Sequence, residues 1–190
     1  MLTLQERFQA INRAYDDYYK SLLSKGKLLV RDTSAGIWGY ASASVCFKFF
    51  KQINLDKAKK FIDLGSGDGK VVAIASLFTD SVGIEADKEL LEDSIKIKDK
   101  LVKENAIQAD KCKLICDDFL KQEYDLSGYD IIFINPDKLF TLEFEQKLVK
   151  ELTGTLYIYN NIFAPKMLKK GKTFWIDQMP IISYNNNKKL

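Results

Sequence analysis

The 190-residue chain contains no histidine. This removes the Ser-His-Asp and Cys-His nucleophile schemes and the commonest general base at neutral pH, so any chemistry here proceeds without imidazole. Cysteine is scarce as well, with three in total, too few and too unevenly spaced for a disulfide framework. With so few thiolates and no imidazole, a zinc site lacks ligands, and no metal is expected. Cys112 and Cys116 alternate with Leu114 on one face of a short strand, which reads as core. No apolar run approaches the roughly 18 to 20 residues of a membrane span. Residues 1–25 are interrupted by Glu6, Arg7, Asp16 and Asp17 where a secretory signal would be apolar. The expectation is a protein of the cytoplasm with no membrane partner. A net charge of +3 gives no field like that of an obligate nucleic-acid binder.

What is present is an apolar fraction of 46% with 12% aromatic residues, enough for one core of ordinary size. Thr3 with Glu6 has the form of a capping box, and Leu4, Phe8, Ile11, Tyr15, Tyr18 and Leu22 fall on one helical stripe that ends at Lys25-Gly26. That stripe either packs against the domain or a second copy, or closes over a cleft. Residues 31–44 are small and flexible, as in a loop that lies close to a ligand. From Lys60 onward strands and helices alternate: strands at 61–64, 81–85, 113–116, 129–134, 155–159, 173–176 and 181–184, with helices at 70–78, 88–103 and 140–152 between them. The residues from Asn185 read as a solvated tail. The expected architecture is a Rossmann-like, doubly wound α/β fold: a mostly parallel sheet of about seven strands with helices on both faces and an N-terminal helical extension. Residues 1–55 form the extension and 56–190 the ligand-binding domain of a single globular unit.

Asp63-Leu-Gly-Ser-Gly-Asp-Gly69 stands where the first strand gives way to a helix, the place where such sheets bind ligands. Gly65 and Gly67 permit a tight turn and close backbone approach. Glu85 lies 22 positions after Asp63, at the end of the second strand, where a carboxylate can accept from ribose hydroxyls. A dinucleotide fingerprint wants its third glycine at position 70, which is lysine. A pyrophosphate would also be repelled by Asp63 and Asp68. A ligand with an ammonium group and a nucleoside but no phosphate suits the site better.

These motifs, Asp-Leu-Gly-Ser-Gly-Asp-Gly with Val82-Gly-Ile-Glu-Ala-Asp87, resemble those of class I S-adenosylmethionine (SAM)-dependent methyltransferases over roughly residues 60–184. The resemblance implies that Asp63, Gly65, Ser66 and Gly67 line the methionine end of SAM and that Glu85 holds the ribose. It assigns Asp118, ahead of Asp117, to the adenine amino group. The wording Phe61-Ile-Asp-Leu-Gly-Ser-Gly-Asp-Gly-Lys-Val-Val72 is most similar to small archaeal and mitochondrial protein-lysine methyltransferases.

At the acceptor side, the strand Tyr129–Ile134 delivers Asn135-Pro136-Asp137. Adenine-N6 methyltransferases carry Asn-Pro-Pro and then an aromatic residue at this point, whereas here Asp137 and Lys138 follow, and the stacking platform for a flipped base is missing. Asn135 and Asp137 are the candidate catalytic pair, orienting an amine that arrives as an ammonium. Trp38 and Tyr40, ahead of Trp175, are candidates for an aromatic wall around a lysine, and core packing is the default for Trp175. The expected function is methyl transfer to an amine, foremost a protein lysine, the substrate being a protein. An RNA methyltransferase and a SAM-binding interaction module without catalysis are the alternatives.

Overall fold

The protein, seen as a computed structural model, is described over residues 2–34 and 36–186. Helix α1 (Leu4–Ser24) starts at Thr3, whose hydroxyl accepts from Glu6 N while Glu6 reaches back to Thr3 N, and stops at Lys25 with Gly26 left-handed. Its buried face is Ala10, Ile11, Ala14, Tyr15, Tyr19 and Leu22. Ile11, Tyr15 and Leu22 of the predicted stripe are buried, Phe8 and Tyr18 are half-buried against the core and Leu4 is exposed, while Ala10, Ala14 and Tyr19 widen the face that α1 turns to α3 (Lys70–Ala75) and α4 (Lys88–Lys103).

Within the segment 31–44, expected as a flexible loop, two short strands pair instead. β1 (Val30–Asp32) pairs antiparallel with β2 (Ile37–Gly39), and Thr33 N and Oγ1 both donate to Gly36 O across the turn. Ser42 then caps α2 (Ala43–Gln52).

The main sheet comprises β3 (Lys60–Leu64), β4 (Asp80–Glu85), β5 (Cys112–Cys116), β6 (Ile131–Ile134), β7 (Thr155–Tyr159), β8 (Lys169–Ile176) and β9 (Met179–Asn185). Its order is β5-β4-β3-β6-β7-β9-β8, with β9 antiparallel to β7 and β8 antiparallel to β9. The central strands β3, β6 and β7 are largely apolar because both their faces are covered. Phe61, Phe133 and Tyr157 point to one face, where the Phe50 ring meets Phe61 edge-on at 5.3 Å and Phe49 meets Tyr157 at 5.0 Å, so α2 seals β3, β6 and β7. Ile62, Leu64, Ile132 and Ile134 point to the other, against Phe144 and Leu148 of α5 (Leu142–Glu151). No helix among the described residues is long and apolar enough to cross a membrane.

Three expectations need correction. Cys112 is buried but Cys116, the last residue of the edge strand β5, is exposed. Trp175 is 65% exposed rather than core, since β8 is the outermost strand at the other edge. The chain is not yet a tail at Asn185, which ends β9, and the Asn186 side chain donates to Val149 O at 2.6 Å; residues 187–190 lie outside the described residues.

Candidate active site

The sheet order reverses between β3 and β6, and β3, β4 and β6 end together around a cavity of about 530 Å³. That size falls within the roughly 300 to 1,000 Å³ of small-molecule sites. Its floor is the turn after β3. Gly65 N and Ser66 N donate to Ile84 O at 2.9 and 3.0 Å, fastening the turn to β4. Gly67 is left-handed with φ +54°, and a Cβ there would stand 2.8 Å from the Trp38 indole, so both backbone conformation and space require glycine.

Asp63 closes one side of this floor. Its side chain lines the cavity at 3% exposure and has no hydrogen bond or ion pair to any described residue. Burial foremost, then the carboxylates of Glu85 and Asp68, push its carboxyl well above the usual carboxylate range. A carboxylate this deep in the fold without a partner in the chain is costly.

Glu85, also buried, is differently placed: Oε2 accepts from Gly67 N and Oε1 from Asp87 N, both at 2.7 Å. Burial raises its carboxyl while these two amides oppose the rise. One side chain therefore ties the glycine turn to the start of α4. The cap of α4 is Asp87, which accepts from Leu90 N at 2.9 Å and also from the Ser34 amide and hydroxyl at 3.0 and 2.7 Å.

The two aspartates after β5 separate clearly. Asp117 is engaged by Lys121, Tyr124 and the Asp118 amide, which in that order hold its carboxyl down at about 2. Asp118 is exposed at the cavity lining, with Oδ1 accepting from Leu120 N at 2.9 Å.

Beyond β6, Asn135 lines the cavity with Oδ1 accepting from Asn160 Nδ2 at 2.8 Å, while its own amide nitrogen faces Gly39 O at 3.4 Å. Asp137 Oδ2 accepts from Ile37 N at 2.8 Å and lies hard against Gly36. Its carboxylate thus clasps the hairpin. That hairpin is a strap across the cavity, pinned to Asp87 at Ser34 and to Asp137 at Ile37. It carries Trp38 buried against the turn and Tyr40 at the rim, 46% exposed.

The structure brings Asp63, Gly65, Ser66, Gly67, Glu85, Asp118, Asn135 and Asp137 to this one cavity. Ser34, Asp87 and Asn160 were not singled out from the sequence. The Asp87 cap is legible in Asp87-Lys-Glu-Leu90, but nothing local connects Ser34 or Asn160 to residues 53 and 25 positions away.

The family described as "Histone methylation protein DOT1" matches residues 24–179, well over half of the chain. No curated protein matches. Among solved structures, a methyltransferase from Geobacter sulfurreducens superposes with a TM-score of 0.62 at 11% identity, covering 92% of this chain and 89% of its own. An RNA methyltransferase from Salinibacter ruber in complex with S-adenosyl-L-homocysteine gives 0.59 at 16%, covering 80% and 95%. A putative methyltransferase from Escherichia coli gives 0.57 at 16%, covering 78% and 88%. At such identities the likeness is one of fold.

Proposed function

We propose, from the premise that this chain belongs to the DOT1 family of histone methylation proteins, that it transfers a methyl group to the side-chain amine of a protein lysine. It is a SAM-dependent methyltransferase of the class I, seven-strand type. The residues around the cavity suit SAM. Asp63 offers an unpartnered buried carboxylate to an ammonium, a Cβ at Gly65 would project into open space, and Glu85 keeps acceptor capacity beyond the two amides it already holds. In this reading Asp63, Gly65, Ser66 and Gly67 hold the methionine end, Glu85 the ribose and Asp118 the adenine edge. SAM supplies an electrophilic methyl group on a sulfonium, a good leaving group that needs no metal.

The protein residues have the task of placing the amine and removing its charge. The observation that carries the lysine reading is the pairing, in one cavity, of the Trp38 and Tyr40 aromatic wall with an Asn135 amide whose orientation Asn160 holds. Arg31 lies over one face of Trp38 and Lys70 over one face of Tyr40, so a lysine ammonium would be attracted to the opposite face of the exposed Tyr40 ring, and the Asn135 oxygen has a lone pair left to accept one N–H. With the amine oriented, its proton passes to solvent and the neutral nitrogen attacks. Asp137 serves by holding the strap, and with it the aromatic wall, in place.

Asn135→Ala is expected to lower methyl transfer about 100-fold or more, the scale of a misplaced acceptor, while SAM affinity stays within about threefold. Incubation with labelled SAM and cell extract, split between nuclease and protease treatment, tests the acceptor. Label that survives nuclease and appears as methyl-lysine after hydrolysis supports the reading. Label lost with nuclease would assign the activity to RNA, and SAM binding without any label would leave an interaction module.

A further inference from the structure

Helix α1 lies almost wholly before the span matched by the DOT1 family, yet two of its tyrosines, Tyr15 and Tyr19, bond to the turn after β3. Tyr15 OH donates to Asp68 O at 3.0 Å. Tyr19 OH donates to Asp68 Oδ2 at 2.5 Å and accepts from Lys70 Nζ at 2.6 Å, while Lys70 N donates to Asp68 Oδ1 at 3.1 Å. All four side chains are buried, Lys70 at 2% exposure. The Tyr19 phenol is thus the bridge of a buried ion pair, with the carboxylate on one side and the ammonium on the other. Burial drives its own ionisation far upward, so it keeps its proton and remains a donor to Asp68. Lys70 is pulled the other way, burial lowering its value while Asp68 opposes the fall.

The same group of residues reaches the strap. The Lys70 ammonium lies 4.6 Å from the ring centres of both Tyr19 and Tyr40, and the Tyr19 ring stands 5.1 Å from Tyr40 and 6.4 Å from Trp38. Asp68, Trp38 and Tyr40 all line the cavity, while Tyr19 and Lys70 do not. A bridge in this position holds two walls of the cavity to one another: the turn at Gly67–Gly69 through Asp68, and the strap through its aromatic rings.

We propose that Tyr19 is a positioning residue for SAM, and that α1 is thereby a working part of the cofactor site rather than an appended packing helix. The proposal rests on the reading of the cavity as the SAM site. Tyr19→Phe keeps the ring and removes the bridge, leaving Asp68 Oδ2 and the Lys70 ammonium each without this partner. The turn and strap then lose their mutual register.

The test is calorimetric titration of the full chain with SAM, together with Trp38 fluorescence in a Trp175→Phe background, which leaves Trp38 as the only tryptophan. For Tyr19→Phe the dissociation constant is expected to rise about tenfold or more, near the loss of one charge-assisted hydrogen bond. KM for SAM should rise in parallel. Lys70→Met, which removes the ammonium at similar length, should weaken SAM in the same direction, and the double variant should be little worse than the worse single one. Should Tyr19→Phe not fold, Lys70→Met carries the same readout. A Tyr19→Phe protein with a lowered Tm but SAM affinity within twofold of wild type would overturn the proposal, as would fully additive losses in the double variant. Failure of the wild type itself to bind SAM would instead overturn the cofactor reading.

Discussion

Replacing Asp63 with asparagine is expected to make the free protein more heat-resistant at pH 8 and to abolish its measurable binding of SAM. Asp63 is buried, faces the cavity and has no partner within the chain, and burial together with Glu85 and Asp68 raises its carboxyl well above the unfolded value of about 3.9. Between the unfolded and the raised folded value, the folded state holds a proton that the unfolded state has released. Stability therefore falls as pH rises through that window, and the full penalty is present above it. Asparagine keeps the shape and removes the charge, so the variant escapes the penalty. Each pKa unit corresponds to about 1.4 kcal/mol, and for a chain of this size about 1 kcal/mol moves Tm by roughly 2 to 4 °C. The same substitution deprives an incoming ammonium of its counter-charge. Thermal melts from pH 5 to pH 8.5, with and without SAM, check both halves: wild type should lose Tm with rising pH and regain it with SAM, whereas Asp63→Asn, in which only Glu85 keeps a raised carboxyl, should lose less and gain nothing from SAM. A variant that melts like wild type at every pH and is still stabilised by SAM would show that this carboxylate is not the cation acceptor.

The position of Asp63, though not its cost, was legible in the sequence because it lies in a short local pattern. Asp63 through Gly69, and Glu85 at the next strand end, are set by one strand-turn-helix unit and the strand after it, so spacing alone places them together. The alternation of strands and helices likewise announces the parallel sheet. The strap was not legible. Its anchor joins Ile37 to Asp137 across 100 residues, and the sequence Thr33-Ser-Ala-Gly36 has no Asn-Gly or Asp-Gly pair of the kind that announces the commonest two-residue hairpins. Asp137 consequently read as a substrate ligand, while in the structure one of its oxygens is engaged by the strap. Cys116 and Trp175 show a second limit. Alternation tells which face of a strand a residue occupies, but not whether anything covers that face, and both stand on edge strands. The packed face of α1 was read in part: Ile11, Tyr15 and Leu22 are buried, but Ala10 and Ala14, which contribute little to a hydrophobic stripe, and Tyr19 are buried as well.

Glu85 presents the harder case, because its carboxylate already has two amide partners. Glu85→Gln would turn an NH2 group toward either Gly67 N or Asp87 N, setting donor against donor, so it is less conservative here than its shape suggests. Its affinity for SAM should fall about tenfold or more. Glu85→Ala should fall further, by about 100-fold, since hydrogen bonds to a charged group are worth about 1.5 to 3 kcal/mol each and two ribose hydroxyls are at stake. A fall alone does not separate a ribose acceptor from a brace of the glycine turn, because the alanine variant loses both. A SAM analogue lacking the two ribose hydroxyls separates them. If Glu85 accepts from the ribose, wild type prefers SAM to the analogue and Glu85→Ala binds the two nearly alike. If Glu85 only braces Gly67 and Asp87, both ligands weaken by the same factor in Glu85→Ala and the wild-type preference for the hydroxylated ligand persists. Calorimetry with two proteins and two ligands yields that ratio directly, and a preference that survives in the alanine variant would remove Glu85 from the ribose and leave it as the tie between the turn and α4.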